Sequence, residues 1–230
     1  MKRKLITFLT IAVMLIASFA MVPAVDTVDA ASKAPPATGK WKNLLNKYRN
    51  DSKVNQVVFV RYGGRNNTTL TLYRKNKDKL WYQQLHCKAY VGQNGIDKKK
   101  EGDRRTPTGT YTLEKPFGIL KDPGSKMKYT RINRNLYWCG DKKFYNKMID
   151  IRKHPHKCRG EHLINYTKQY AYSMNISYNK KGTYGKGSAI FLHCYGYNNY
   201  TLGCIAVSKK NMKTLLKKVG KNTKICIYKK

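Results

Sequence analysis

Between Val54 and Tyr228 the apolar residues come in short runs cut by turn formers, a pattern that suits little besides a mostly-β domain. Val57-Val58-Phe59-Val60 reads as a buried strand and Gly63-Gly64 as the turn after it. Residues 68–73 alternate and are rich in β-branched and aromatic types, residues 76–79 punctuate, and residues 80–91 read as a further strand. Thr106-Pro107-Thr108-Gly109-Thr110-Tyr111 fixes a turn that leads into a strand, and residues 115–135 read as mostly irregular. Strands are expected again over 170–178, after which 179–183 form a hairpin turn, over 187–193 and over 223–228. Helical spacing occurs in two places. One is Trp41 to Tyr48, through Leu44 and Leu45. The other runs from an N-cap at Ser208 through Lys218, with Met212, Leu215, Leu216 and Val219 on its apolar face and Gly220 at its C-terminal cap. With no internal repeat and no second linker, residues 54–230 are expected to form one domain, and residues 31–53 a linker and short helix.

Ahead of this, Met1-Lys2-Arg3-Lys4, an apolar run over 5–22 and Val28-Asp29-Ala30-Ala31 have the layout of a secretory signal peptide over residues 1–30. The other use of such a run is a retained anchor. Val28-x-Ala30 suits signal peptidase, which favours cleavage and leaves no membrane span. The mature chain is then secreted. Over the full sequence 47 Lys and Arg stand against 12 Asp and Glu, a formal charge of +35. On an exported chain whose lysines are spread along its length, the partners expected are anionic wall polymers rather than nucleic acid, and the attraction is screened by salt. Scarce carboxylates also weigh against a glycosidase, which needs a positioned pair.

The chemistry concentrates in Gly187-Ser188-Ala189-Ile190-Phe191-Leu192-His193 and Thr201-Leu202-Gly203-Cys204-Ile205-Ala206-Val207. A cysteine attacks carbonyls as its thiolate, and an adjacent imidazole is the usual base that makes one. Glycine before Cys204 permits close backbone approach, so the Gly203 and Cys204 amides are candidates for holding an oxyanion. All five histidines (His86, His154, His156, His162 and His193) precede Cys204. That excludes the Cys-then-His order of papain-like peptidases. Sortases run His before Cys but need a later arginine, and the last arginine is Arg159.

These segments resemble the signature of the L,D-transpeptidase (YkuD-like) catalytic domain, in which a His is followed by a loop and a Ser/Thr-x-Gly-Cys segment. Residues 101–111, with Thr106-Pro107-Thr108-Gly109, resemble the family's Thr-Pro-x-Gly element. Residues 161–166 and 176–179 are similar to segments of Gram-positive members. The resemblance implies a β-sandwich of mixed sheets with a short helix after the cysteine, no metal and no cofactor. It implies an acyltransferase of peptidoglycan biosynthesis, acting in cell-wall biogenesis and cell shape, whose partners are peptidoglycan stem peptides. Cys204 is then the nucleophile and His193 the proton acceptor and donor, with Gly203 at the oxyanion and the Cys194 carbonyl orienting the imidazole. Three departures stand out: only ten residues separate His193 from Cys204, Leu202 replaces a common second histidine, and Ala206 replaces a common arginine or asparagine. Two alternatives remain open: an L,D-carboxypeptidase with the same dyad, and a non-catalytic cationic wall-binding protein.

Tyr195, Tyr197 and Tyr200, in the loop between the two residues, and Thr201 are candidates for substrate binding. His162 is placed near the cleft by family position, with a structural hydrogen bond as the competing role. His154-Pro155-His156-Lys157-Cys158 carries alternate metal-ligand types, but no second cluster stands out beside it, so a surface loop is expected. Of the six cysteines, Cys139 and Cys158 are the first pair to test for a disulfide, since both lie in an irregular, polar region, and Cys226 is expected to be a buried hydrophobe.

Overall fold

The computed structural model describes residues 38–230; the expected signal peptide and the first part of the linker lie outside them. A helix, α1 (Gly39–Lys47), comes first. Twelve strands follow: β1 (Gln56–Tyr62), β2 (Thr68–Lys75), β3 (Trp81–Lys88), β4 (Gly109–Gly118), β5 (Thr130–Arg131), β6 (Leu136–Cys139), β7 (Lys147–Asp150), β8 (Glu161–His162), β9 (Ser173–Ile176), β10 (Phe191–Cys194), β11 (Ile205–Val207) and β12 (Lys224–Lys229). The second helix, α2 (Lys209–Lys218), separates the last two strands.

The unbroken run Val57-Val58-Phe59-Val60 is apolar because β1 is covered on both faces. On one side Val57 and Phe59 meet α1, whose Trp41 ring lies 4.8 Å from that of Phe59, with Leu45 and Tyr48 beside it. The helix expected to belong to a linker segment is therefore docked on the sheet. On the other side Val58 and Val60 enter the main core with Leu72, Leu192, Ile205 and Ile225.

The large sheet runs β11-β10-β9-β4-β12-β1-β2-β3, with β5 paired to β4. β12 is parallel to β1, β11 is parallel to β10, and the other pairs along this order are antiparallel. Past β3, Tyr90 exchanges two backbone hydrogen bonds with Ala206, at 2.8 and 2.9 Å, so the two ends of the sheet meet. The mostly-β expectation holds, as a mixed sheet curled like a barrel. α2 starts where expected: Ser208 Oγ accepts the Asn211 N–H, and Met212, Leu215 and Leu216 are buried. Gly220 is not its cap. Val219 ends the helix in extended backbone, and the Gly220 N–H donates to Gln56 Oε1 at 2.8 Å.

Several boundaries move for local reasons. β4 continues into the stretch expected to be irregular, passing a bulge at Lys115, whose φ is +24°. The strand expected over 170–178 begins only at Ser173, because Gln169–Ala171 forms a 3₁₀ turn. The strand expected over 187–193 begins at Phe191, since Gly187 (φ +116°) and Ala189 (φ +54°) are left-handed.

Sequence reading missed the three-stranded sheet β7-β6-β8 altogether. It stacks on the outer face of β4 and β10 through Trp138, whose ring lies 4.7 Å from Phe191. At its end, Cys139 and Asp141 come alongside His156 and Cys158, and the four ligand atoms lie within 4.8 Å of one another. A second cluster thus does accompany the histidine loop. Cys139 and Cys158, the first pair to test for a disulfide, are free thiols. His154 instead packs against Phe144, and Cys226 is fully buried, as a small hydrophobe would be.

Candidate active site

Parallel pairing of β10 with β11 sets the central geometry. His193, one residue before the end of β10, lies opposite Ala206 of the next strand, and the turn that returns the chain carries Cys204 just before β11. Both side chains are buried at the floor of one cleft of about 780 Å³, part of it open to solvent. His193 Nδ1 lies 2.6 Å from the Cys194 carbonyl, the orientation expected. That bond places the ring proton on Nδ1 and leaves Nε2 with its lone pair. The Cys204 thiol donates to the Ala189 carbonyl at 3.1 Å and accepts the Phe191 N–H at 3.3 Å. Left-handed Ala189 is held by Asn146 Oδ1, which accepts its N–H at 3.1 Å.

The backbone of Cys204 is clamped as well. Its carbonyl accepts the hydroxyls of Thr201, at 2.6 Å, and of Thr106, at 3.2 Å. Thr106 belongs to the Thr-Pro-Thr-Gly element, so both sequence motifs converge on one peptide unit. Gly203 has φ +143°, and a Cβ there would lie 3.1 Å from the Arg105 carbonyl oxygen, which explains the glycine. Its N–H, expected to face an oxyanion, donates to Thr201 Oγ1 at 3.1 Å. The amide is spent on the turn.

A family model for the L,D-transpeptidase catalytic domain (YkuD) matches residues 55–227. The chain belongs to this family. Among solved structures, it is similar to the helical cell shape determining protein Pgp2 from Campylobacter jejuni, at 16% identity and TM-score 0.45, over 82% of this chain and 55% of that one. It is also similar to L,D-transpeptidase 1 of Mycobacterium tuberculosis, at 14% identity and TM-score 0.38, over 76% of this chain and 61% of the other. The chain thus spans less than two thirds of the length of either. No curated protein sequence matches it.

In this L,D-transpeptidase domain the resting pair is uncharged. Burial pushes the His193 imidazole down to about 4, against the smaller opposing effect of its bond to Cys194. Burial, and then the charge of Glu161, push the Cys204 thiol up, while the Phe191 N–H and Lys98 oppose them.

Glu161, Tyr166 and Tyr170 line the same cleft, and sequence reading gave none of them a role. The Tyr170 hydroxyl donates to Glu161, and its ring stands edge-on to His193 with centroids 5.7 Å apart. Burial raises the Glu161 carboxyl to about 7, and the Tyr170 bond partly offsets this. A carboxylate within an aromatic cluster was the only signal available, and Glu161-His162 offered no reason to choose the acid over the histidine. His162 itself bonds the Arg134 carbonyl through Nε2 at 2.8 Å and stacks on Tyr137.

Among the tyrosines, Tyr197 and Tyr200 line the cleft, with Lys168 over the Tyr197 ring at 3.7 Å and Arg65 over that of Tyr200 at 5.7 Å. Tyr195 turns away, donating to the Lys88 carbonyl and packing on Tyr90. Thr201 is buried at the clamp, though it also borders the cleft. Leu202 is 70% exposed on the rim. Ala206 is buried between His193 and Tyr90 in the sheet. Among the described residues, no helix is long and apolar enough to cross a membrane.

Proposed function

We propose that this chain is a secreted, wall-associated L,D-transpeptidase that cross-links peptidoglycan stem peptides through an acyl-thioester on Cys204. The observation that carries this reading is the orientation of His193. With Nδ1–H committed to the Cys194 carbonyl, Nε2 is the basic atom, and it shares a buried cleft with the thiol.

In this reading Cys204 Sγ attacks the carbonyl between the third stem residue, a diamino acid, and the terminal D-alanine. The thiol proton passes to His193 Nε2 and then to the departing D-alanine amine. A side-chain amine of a neighbouring stem next attacks the thioester, loses its proton to His193, and restores the thiol. The Gly203 amide is engaged by Thr201, so the reading assigns the oxyanion to the Cys204 amide and gives Gly203 the task of shaping the turn. Tyr197 and Tyr200 are assigned to the substrate, and Tyr195 to supporting their loop. The signal peptide over residues 1–30 delivers the chain to the wall, where its large excess of Lys and Arg favours retention by anionic polymers.

Intact-mass analysis of the reduced protein with a carbapenem, a β-lactam that acylates L,D-transpeptidases at the cysteine, tests the chemistry. A drug-sized gain on the wild type that is absent from Cys204→Ala is expected. A folded, reduced wild type that gains no mass sinks the proposal. Muropeptide products then separate cross-linking from hydrolysis of the same thioester by water, the carboxypeptidase outcome.

A further inference from the structure

We propose that Cys139, Asp141, His156 and Cys158 form a structural zinc site that fixes the three-stranded sheet beside the catalytic cleft. Two short Cys-x-Asp and His-x-Cys segments, a pairing suited to a small closed site, supply the donors from opposite sides. Cys139 Sγ lies 3.4 Å from Asp141 Oδ2 and 3.4 Å from His156 Nε2, and the last two atoms are 3.4 Å apart. Zinc bonds of roughly 2.0 Å to nitrogen and oxygen and 2.3 Å to sulfur require tetrahedral edges of about 3.3–3.8 Å. Three edges therefore already have the right length, and Cys158 completes a set within 4.8 Å.

The surroundings are arranged as a metal needs. His156 Nδ1 lies 2.6 Å from the His154 carbonyl, which holds the proton there and turns the Nε2 lone pair inward. The Arg159 N–H bonds Asp141 Oδ2 at 3.0 Å and steadies the carboxylate. A Cβ on Gly140 would meet the Arg159 carbonyl oxygen at 2.1 Å, and one on Gly160 would meet that of Trp138 at 2.1 Å. Only glycines allow the two segments to pass this closely. A disulfide between Cys139 and Cys158 would need neither the inward imidazole nor the carboxylate. Two thiolates and a soft nitrogen favour zinc over magnesium or calcium. Binding displaces the two thiol protons to solvent, with no change of oxidation state.

The position explains what the site would do. Cys158 is three residues before Glu161, which lines the cleft, and Cys139 follows Trp138, which packs on Phe191. The metal would tie together the two ends of chain that place these residues.

The full chain, reduced and then dialysed with Zn²⁺ or Co²⁺ and afterwards against metal-free buffer, provides the test. One equivalent of retained zinc is expected, together with a thiolate-to-cobalt charge-transfer band and tetrahedral d–d bands in the cobalt form. His156→Ala and Cys158→Ser should each weaken retention by tenfold or more, while Cys87→Ser leaves it unchanged. Should the variants fail to fold, zinc must still protect Cys139 and Cys158 of the wild type from alkylation. No retained metal, a cobalt spectrum without the thiolate band, or a Cys139–Cys158 disulfide that forms in air despite excess zinc would each overturn the proposal.

Discussion

The Thr106 hydroxyl donates to the Cys204 carbonyl at 3.2 Å, across 98 residues of chain. The same Thr106 oxygen accepts the Gly92 N–H at 2.9 Å, so one buried side chain links the loop after β3 to the turn that carries Cys204. Thr106→Val removes both bonds and leaves the Gly92 N–H without its acceptor. A loss of about 1–3 kcal/mol in denaturant-unfolding stability is expected. Carbapenem acylation should slow on the order of tenfold, as positioning effects of this kind do. Thr106→Ser should restore most of both. Equal acylation rates for the valine variant and the wild type would show that the clamp does not position Cys204.

Gly203 carries the sharper constraint. At φ +143°, with the Arg105 carbonyl oxygen 3.1 Å from where a Cβ would sit, alanine is strained both in its backbone and in its contact. Gly203→Ala is expected to cost about 1–3 kcal/mol and to slow acylation more than Thr106→Val does, because it displaces the Cys204 amide directly. Thermal unfolding and single-turnover mass spectrometry measure the two effects separately.

His193 and Glu161 give opposite pH dependences. His193 titrates at about 4 in the fold against an ordinary 6.5, so between those values the unfolded chain binds the extra proton and stability rises with pH. Glu161 titrates at about 7 against an ordinary 4.5, so the folded chain binds the extra proton and stability falls as pH rises. From pH 4.5 to 6.5 the two oppose each other. Relative to wild type, Glu161→Gln should lose stability on acidification through that window, by up to about 1.4 kcal/mol per pH unit. His193→Gln should instead lose stability as pH rises toward 7. Comparing each variant with wild type cancels other groups such as His86. Variants with parallel pH profiles would contradict both assignments.

The Glu161 charge also holds the Cys204 thiol up, second only to burial. Above pH 7, Glu161→Gln should therefore speed alkylation of Cys204 by iodoacetamide several-fold, read from the Cys204 peptide so that the other five cysteines do not interfere. A slower rate would mean that Glu161 acts on the thiol through packing rather than charge.

Legibility followed the range of the interactions. The helix at Trp41, the strands at Val57 and Thr68, the Ser208 cap and the closing strand were readable because periodicity and capping act over a few residues. The late start of β10 was not, because left-handed Ala189 is imposed by Asn146, 43 residues away. Strands β6 to β8 were lost for a related reason. They are only two to four residues long and depend on Trp138 packing against a sheet that forms around them.

By itself, the sequence determined the mostly-β class and the order of motifs that marks the family, His193 and Cys204 among them. Those features are carried by local pattern and by residue identity. Only the tertiary structure decided that the Gly203 amide is engaged by Thr201, that Tyr195 faces away from the cleft, that Glu161 faces into it, and that Cys139 and Asp141 meet His156 and Cys158. Each of these depends on which distant segment occupies the space beside a residue. That neighbour is set by strand pairing and core packing, which local sequence does not encode.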